Sequence, residues 1–191
     1  MIRTSGAALL RHTGWVTIHS SHPFLPPEGD RDPLRRLRGR LVSPVTVWTA
    51  HSGGRSAAWT VSSLMIADGD PAEVVGLIDE DSDLWDVAQE GRRVAVSVLG
   101  WQHRMVAEVC AGQAPSPGGP FRTGEWTDTD WGPVLQDAPG WLGATLLEDE
   151  PDHAGWAVLA RARIERIELD TIGDDGLLTH LRGRYHRLGD A

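Results

Sequence analysis

Between residues 53 and 65 the chain reads GGRSAAWTVSSLM. It holds one guanidinium, Arg55, and the hydroxyls of Ser56, Thr60, Ser62 and Ser63, with no carboxylate among them. Hydroxyl and backbone N–H donors beside a single cation, on a surface free of competing acids, suit a phosphate or a polar heterocycle. Serine and threonine are also common on solvent-facing strands, so the residues by themselves leave both readings open.

Other groupings that could do chemistry are weaker. The segment DEDSDLWDVAQE, residues 79–90, places acids at positions 1, 3, 5 and 12 of a would-be calcium loop, but its sixth position is Leu84, where the sharp turn needs glycine. A strand end followed by an acidic helix N-terminus explains the same acids through the helix dipole. The close histidine pairs, His19 with His22 and His180 with His186, match no zinc spacing, and Cys110 is the single cysteine, so no metal site is expected. Cys110 reads as a buried helical residue with no evident base nearby. All 18 basic residues are arginine, which excludes Schiff-base lysine chemistry and a phosphate-loop lysine. The hydrolase, metalloprotease and dinucleotide-binding signatures G-x-S-x-G, H-E-x-x-H and G-x-G-x-x-G do not occur.

The chain has 191 residues, 40% of them hydrophobic, enough for one domain with a sizeable core. A formal net charge of -9 argues against a general binder of nucleic acid or anionic membrane. The first apolar run is too short for a signal peptide or a membrane span, and a lone cysteine makes no internal disulfide, so a cytoplasmic location is expected. Nine tryptophans against two phenylalanines and one tyrosine imply well-filled cores and interfaces, or stacking surfaces for a planar ligand.

The elements that must position these residues are mostly strands. WVTIHS (15–20) is a short strand candidate, followed by a Pro-rich arm to about residue 33. Asp32 and Pro33 open a short helix with Leu34, Leu37 and Leu41 on one face. VTVWTA (45–50), SAAWTVSS (56–63), EVVGLI (73–78) and RVAVSVL (93–99) have strand character, the first two joined by the turn HSGG. SDLWDVAQEG is a capped helix opened by Ser82 or Asp83 and suited to end at Gly91. A second helix spans WQHRMVAEVCAG, with Met105, Val106, Val109 and Cys110 on one face, before a loop at QAPSPGGPFRTGEW. Strands follow near WLGATLLED and WAVLARARIERIEL, then a closing segment GLLTHLRGRYHRL. Without strict strand–helix alternation, a closed or partly closed antiparallel barrel fits best.

In their order, RRLRGRLVSPVTVWTAHSGGRSAAWTVSSLM, VVGLIDEDSDLWDVAQEGRRVAVSVLGWQHRMVAEVCAG, the pair Asp152-His153, and LLTHLRGRYHRL resemble the flavin reductase-like family of FMN-binding split barrels, over residues 34 to 188. The resemblance implies a mainly β fold, a split β-barrel with a few short helices, commonly homodimeric. It divides the chain into an N-terminal strand and arm at 1–33 and one split-barrel domain at 34–191.

The resemblance also implies a site. Trp59, Thr60, Val61, Ser62 and Ser63 line the flavin, whose phosphate and reduced ring both favour donors without carboxylates. Arg55 lies close by, Ser82 is a candidate phosphate donor, and Ser97 takes the place of an asparagine. Arg182 and Tyr185 border the site, with Arg182 or Arg184 as a compensating cation, and His153 matches a histidine near the nicotinamide pocket. Where relatives usually carry basic residues, this chain has Glu80 and Asp81, and where they continue Gly-Glu-Val it reads LARAR. The expected activity is hydride transfer from NADH or NADPH to FMN, with FAD or the deazaflavin F420 as other ligands and a partner oxygenase as the expected consumer of reduced flavin. The rival expectations are a flavin or deazaflavin binding protein without turnover and, without flavin, a dimeric interaction module.

Overall fold

A computed structural model describes residues 32–147, 151–170 and 176–189. The strand candidate at 15–20, all but the last residues of the arm, and the pair His19 and His22 lie outside the described residues.

The chain runs through α1 (Pro33–Arg38), β1 (Ser43–Pro44), β2 (Thr46–Ser52), β3 (Arg55–Val61), β4 (Leu64–Ala67), β5 (Glu73–Asp79), α2 (Asp83–Gly91), β6 (Arg93–Val98) and α3 (Arg104–Cys110). It continues through β7 (Trp126–Thr127), β8 (Val134–Leu135), β9 (Gly140–Leu146), β10 (Asp152–Ala154), β11 (Ala157–Leu169), β12 (Leu177–Leu181) and β13 (Arg184–Leu188). The large sheet has the order β3-β2-β6-β9-β11-β5-β4 with β10 on β11, and every pairing is antiparallel.

That order makes the sheet curl. β3 and β4 stand at its opposite edges, yet only Ser62 and Ser63 connect them. Laid flat, six inter-strand spacings would hold the edges about 29 Å apart. The three Cα steps from Val61 to Leu64 reach no more than about 11 Å, so the edges must come together around an enclosed core. This is the split barrel.

Its interior is filled by Trp48, Ala50, Val61, Val74, Ile78, Val94, Val96 and Val158, and α2 closes over them with Leu84, Trp85, Val87 and Ala88. β2 is buried on both faces because Val47 turns outward into a second cluster with Val45, Leu99, Val106, Ala107, Cys110, Leu135 and Leu178, beneath α3 and the small sheet β1-β12-β13. Gly76 lets the Trp48 ring lie against β5, since a Cβ there would stand 2.8 Å from Cζ2.

Two local expectations are corrected. Gly91 does not supply a left-handed helix end; Arg92 does, at φ 59°. Gly91 is needed for close approach instead, as a Cβ would lie 2.9 Å from the His51 carbonyl. Met105 is 56% exposed, whereas Val106, Val109 and Cys110 are buried. At about 100° per residue these four positions span more arc than the buried stripe, and Met105 falls at its margin.

Candidate functional site

The link that closes the barrel is also where the acid-free hydroxyls gather. Thr60 at the end of β3 donates its Oγ1 hydrogen to the carbonyl of Ala107 in α3 at 2.7 Å. The Ser63 hydroxyl donates to the Leu77 carbonyl at 3.0 Å and accepts the Leu77 N–H at 3.2 Å, pinning the link to β5. Ser62, between them, is exposed, and its hydroxyl has no hydrogen-bond partner among the described residues. Trp59 is half-buried against the inner core and Val61 is buried in it, so these two support the site from inside.

From Leu77 the strand β5 runs two residues, about 7 Å, to Asp79, where Ala157 is its partner on β11. The Asp79 carboxylate accepts the N–H of Asp81 at 3.1 Å, shaping the turn into α2. Ser82 caps α2: its hydroxyl donates to the Asp79 carbonyl at 2.7 Å and accepts the Trp85 N–H at 3.2 Å, and the residue is only 4% exposed. A buried hydroxyl used in both directions shapes the helix start rather than facing a ligand. His153, on β10 opposite Val158, places Nε2 3.1 Å from the Glu80 carboxylate.

Other expected site residues lie apart from this edge. Arg55 begins β3, with the length of the strand, about 20 Å, between it and the link. The segment around it is acid-free in sequence but not in space: α2 brings Glu90 within 2.9 Å of the Arg55 guanidinium. Ser97 is buried on β6 and accepts the N–H of Leu135 at 3.3 Å. Arg182 sits exposed at φ 53° in the β12–β13 turn. Tyr185 is half-buried on the α3 side of the small sheet, and burial, with Glu108 and Cys110 nearby, pushes its hydroxyl pKa up. Burial likewise pushes the Cys110 thiol up to about 12, which leaves it without thiolate character.

The structure therefore brings Ser62, Ser63, the β5 end, Glu80 and His153 to one edge. No group of three or more metal-ligating side chains gathers among the described residues. A model of the flavin reductase like domain matches residues 38–189, four-fifths of the chain and every element from the end of α1 onward. The chain belongs to the flavin reductase-like family. No curated protein has a matching sequence.

Solved structures share this family fold. The flavin reductase PheA2 superposes with a TM-score of 0.73 at 22% identity, covering 84% of this chain and 100% of that one. The NADH:FAD oxidoreductase SgcE6 of Streptomyces globisporus superposes at 0.72 with 20% identity, covering 86% and 100%. BorF, the flavin reductase component of a bacterial two-component tryptophan halogenase, superposes at 0.71 with 23% identity, covering 83% and 99%.

Within this flavin reductase-like barrel one exposed residue escapes sequence reading. Trp156, at the tip of the β10–β11 hairpin three residues from His153, is 100% exposed. The segment WAVL reads simply as the start of a strand, and nothing in it signals that the hairpin turns at Gly155 with φ 69° and leaves the indole outside.

Proposed function

We propose that the protein is a flavin reductase that binds FMN on the edge formed by Ser62, Ser63 and the end of β5, and passes a hydride to it from NADH or NADPH. The observation that carries this reading is the Ser62–Ser63 link. It is the closing seam of the barrel, pinned to Leu77, with a free hydroxyl and no carboxylate on either adjoining strand β3 or β4.

The residues fit a flavin's polar ring edge and ribityl chain better than its phosphate. Ser62 offers a donor, and the exposed Leu77 offers an apolar surface. Glu80 and Asp81 stand where a phosphate would prefer cations, but Glu80 is partnered by His153. Ser82 caps the start of α2, which follows directly on the end of β5, and an α-helix N-terminus favours an anion. Bound flavin supplies the hydride acceptor. The chain's own part is to position two rings, so the edge needs no titratable acid or base. We assign His153 and Trp156 to the nicotinamide side; Arg182 and Tyr185, on the small sheet, lie apart from it.

FAD is a second ligand of the same reading. A protein that binds flavin or deazaflavin without turnover is favoured by two particular features. These are the acids at Glu80 and Asp81, and Arg161 within LARAR, whose guanidinium is held by Glu73 at 2.9 and 3.0 Å. A homodimer is supported by the exposed Met65 and Ile66 on β4 beside Leu77 on β5. An oxygenase that consumes reduced flavin is the partner this activity would serve. No described helix is long and apolar enough to cross a membrane, and the proposed location is the cytoplasm.

Titration of the apo-protein with FMN, FAD and riboflavin, following flavin emission and tryptophan quenching, tests the site. Saturable binding that Ser62→Ala weakens supports it; absence of binding to all three removes it.

A further inference from the structure

Apart from Arg122 and Arg187, the described arginines divide into two populations. On the barrel, Arg55, Arg161, Arg163 and Arg166 pair with glutamates, and Arg92, Arg93 and Arg104 donate to backbone carbonyls. Arg35, Arg36, Arg38, Arg40, Arg182 and Arg184 are all exposed and make neither an ion pair nor a side-chain hydrogen bond among the described residues.

The fold places these six side by side. The Arg182 N–H donates to the Gly39 carbonyl at 2.9 Å, Ser43 pairs with His180, and Arg38 lies near enough to His180 to act on its charge. No aspartate or glutamate occurs anywhere in residues 33–67 or 176–189, although the whole chain carries a net charge of -9. The acids that border the patch are Asp32, the N-cap of α1, and Glu108, near Tyr185, and six like charges beside so few acids are unfavourable for the isolated fold. Between the arginines, α1 and the turn after it leave their leucines uncovered: Leu34 and Leu37 on α1 and Leu41 beyond it are 63%, 59% and 61% exposed.

We infer that α1 and the β12–β13 turn form a docking surface for an acidic, leucine-containing segment of a partner protein. The charge selects an acidic occupant. The exposed leucines select a polypeptide, because apolar side chains gain only where they are covered by other apolar groups. A long polyanion or an anionic membrane fits less well, because either would extend past the patch onto a remainder that is strongly acidic. At physiological salt that repulsion acts over about 8 Å. The docking surface does not depend on flavin binding, and its test reads peptide binding alone.

The probe is a synthetic helical peptide with leucines at i, i+3 and i+4 spacing and glutamate elsewhere, titrated onto the full chain. Saturable binding is expected, weakened by added salt. R35E/R36E/R38E, which alters only exposed side chains, loses about tenfold or more in affinity with an unchanged circular dichroism spectrum. L34S/L37S, which keeps the charge, weakens the same peptide severalfold. Three results would overturn the proposal: no saturable binding, equal binding by R35E/R36E/R38E, or tighter binding of a DNA oligonucleotide or phosphatidylserine vesicles than of the peptide.

Discussion

His153 and Glu80, 73 positions apart in sequence, hold one another at 3.1 Å across the outer end of β5. The contact ties the β10–β11 hairpin to the turn before α2. It also gives a partner to an acid at the edge proposed for the flavin.

Removing that charge separates its two effects. E80Q changes stability by about 0.5 kcal/mol or less, because both side chains are largely exposed and such pairs contribute little. Its effect on ligands is larger: the affinity ratio of FMN to riboflavin rises about threefold or more as repulsion of the phosphate is lifted. Paired fluorescence titrations of wild type and variant check this. An unchanged ratio places the phosphate elsewhere.

Ser82 is committed to capping α2 by its two hydrogen bonds. S82A therefore lowers stability by about 1 kcal/mol, read as a lower urea midpoint with unchanged m-value. The FMN to riboflavin ratio stays as in wild type. A selective loss of FMN affinity would show that this hydroxyl leaves its cap for the ligand.

Trp156 exposes its whole indole at the tip of the hairpin that carries His153, on the proposed nicotinamide side. W156A raises the KM for NADH or NADPH severalfold while kcat and flavin affinity hold, the pattern of lost ground-state binding. Steady-state kinetics with saturating flavin resolves the split. If KM is unmoved and the oligomeric state changes instead, Trp156 belongs to an interface.

His180 has its pKa held below the ordinary 6.5, by burial first and then by the nearby charges of His186 and Arg38. Because the folded state disfavours the charged imidazole, this residue's contribution to stability is complete above its unfolded pKa. It is lost as pH falls through the lower folded value. A proton NMR titration of the His180 ring should give a midpoint below 6.5 that R38E raises.

The barrel was legible where side-chain pattern and strand length agree. The β-branched runs of β2, β5 and β6 and the Ser82 cap of α2 all appear at the positions their residues imply. β4, four residues with only Leu64 partly buried, and the two-residue strands β7 and β8 carry no periodicity to read. The geometry of the candidate site was half legible for a related reason. Ser62 and Ser63 could be named from residue type, but their place on the seam depends on which strands are the sheet edges. Contacts such as Arg55 with Glu90 and Glu80 with His153 join residues 35 and 73 positions apart, and no local spacing encodes them.

The most direct measurement is the anaerobic rate of NADH and NADPH oxidation with FMN or FAD, at increasing concentrations of the purified protein. A flavin reductase gives a rate that rises in proportion to protein, saturates in nicotinamide and flavin, and bleaches the flavin absorbance in step. Saturable flavin binding with no rate above the protein-free reaction would contradict reductase activity and leave a flavin-binding protein in its place.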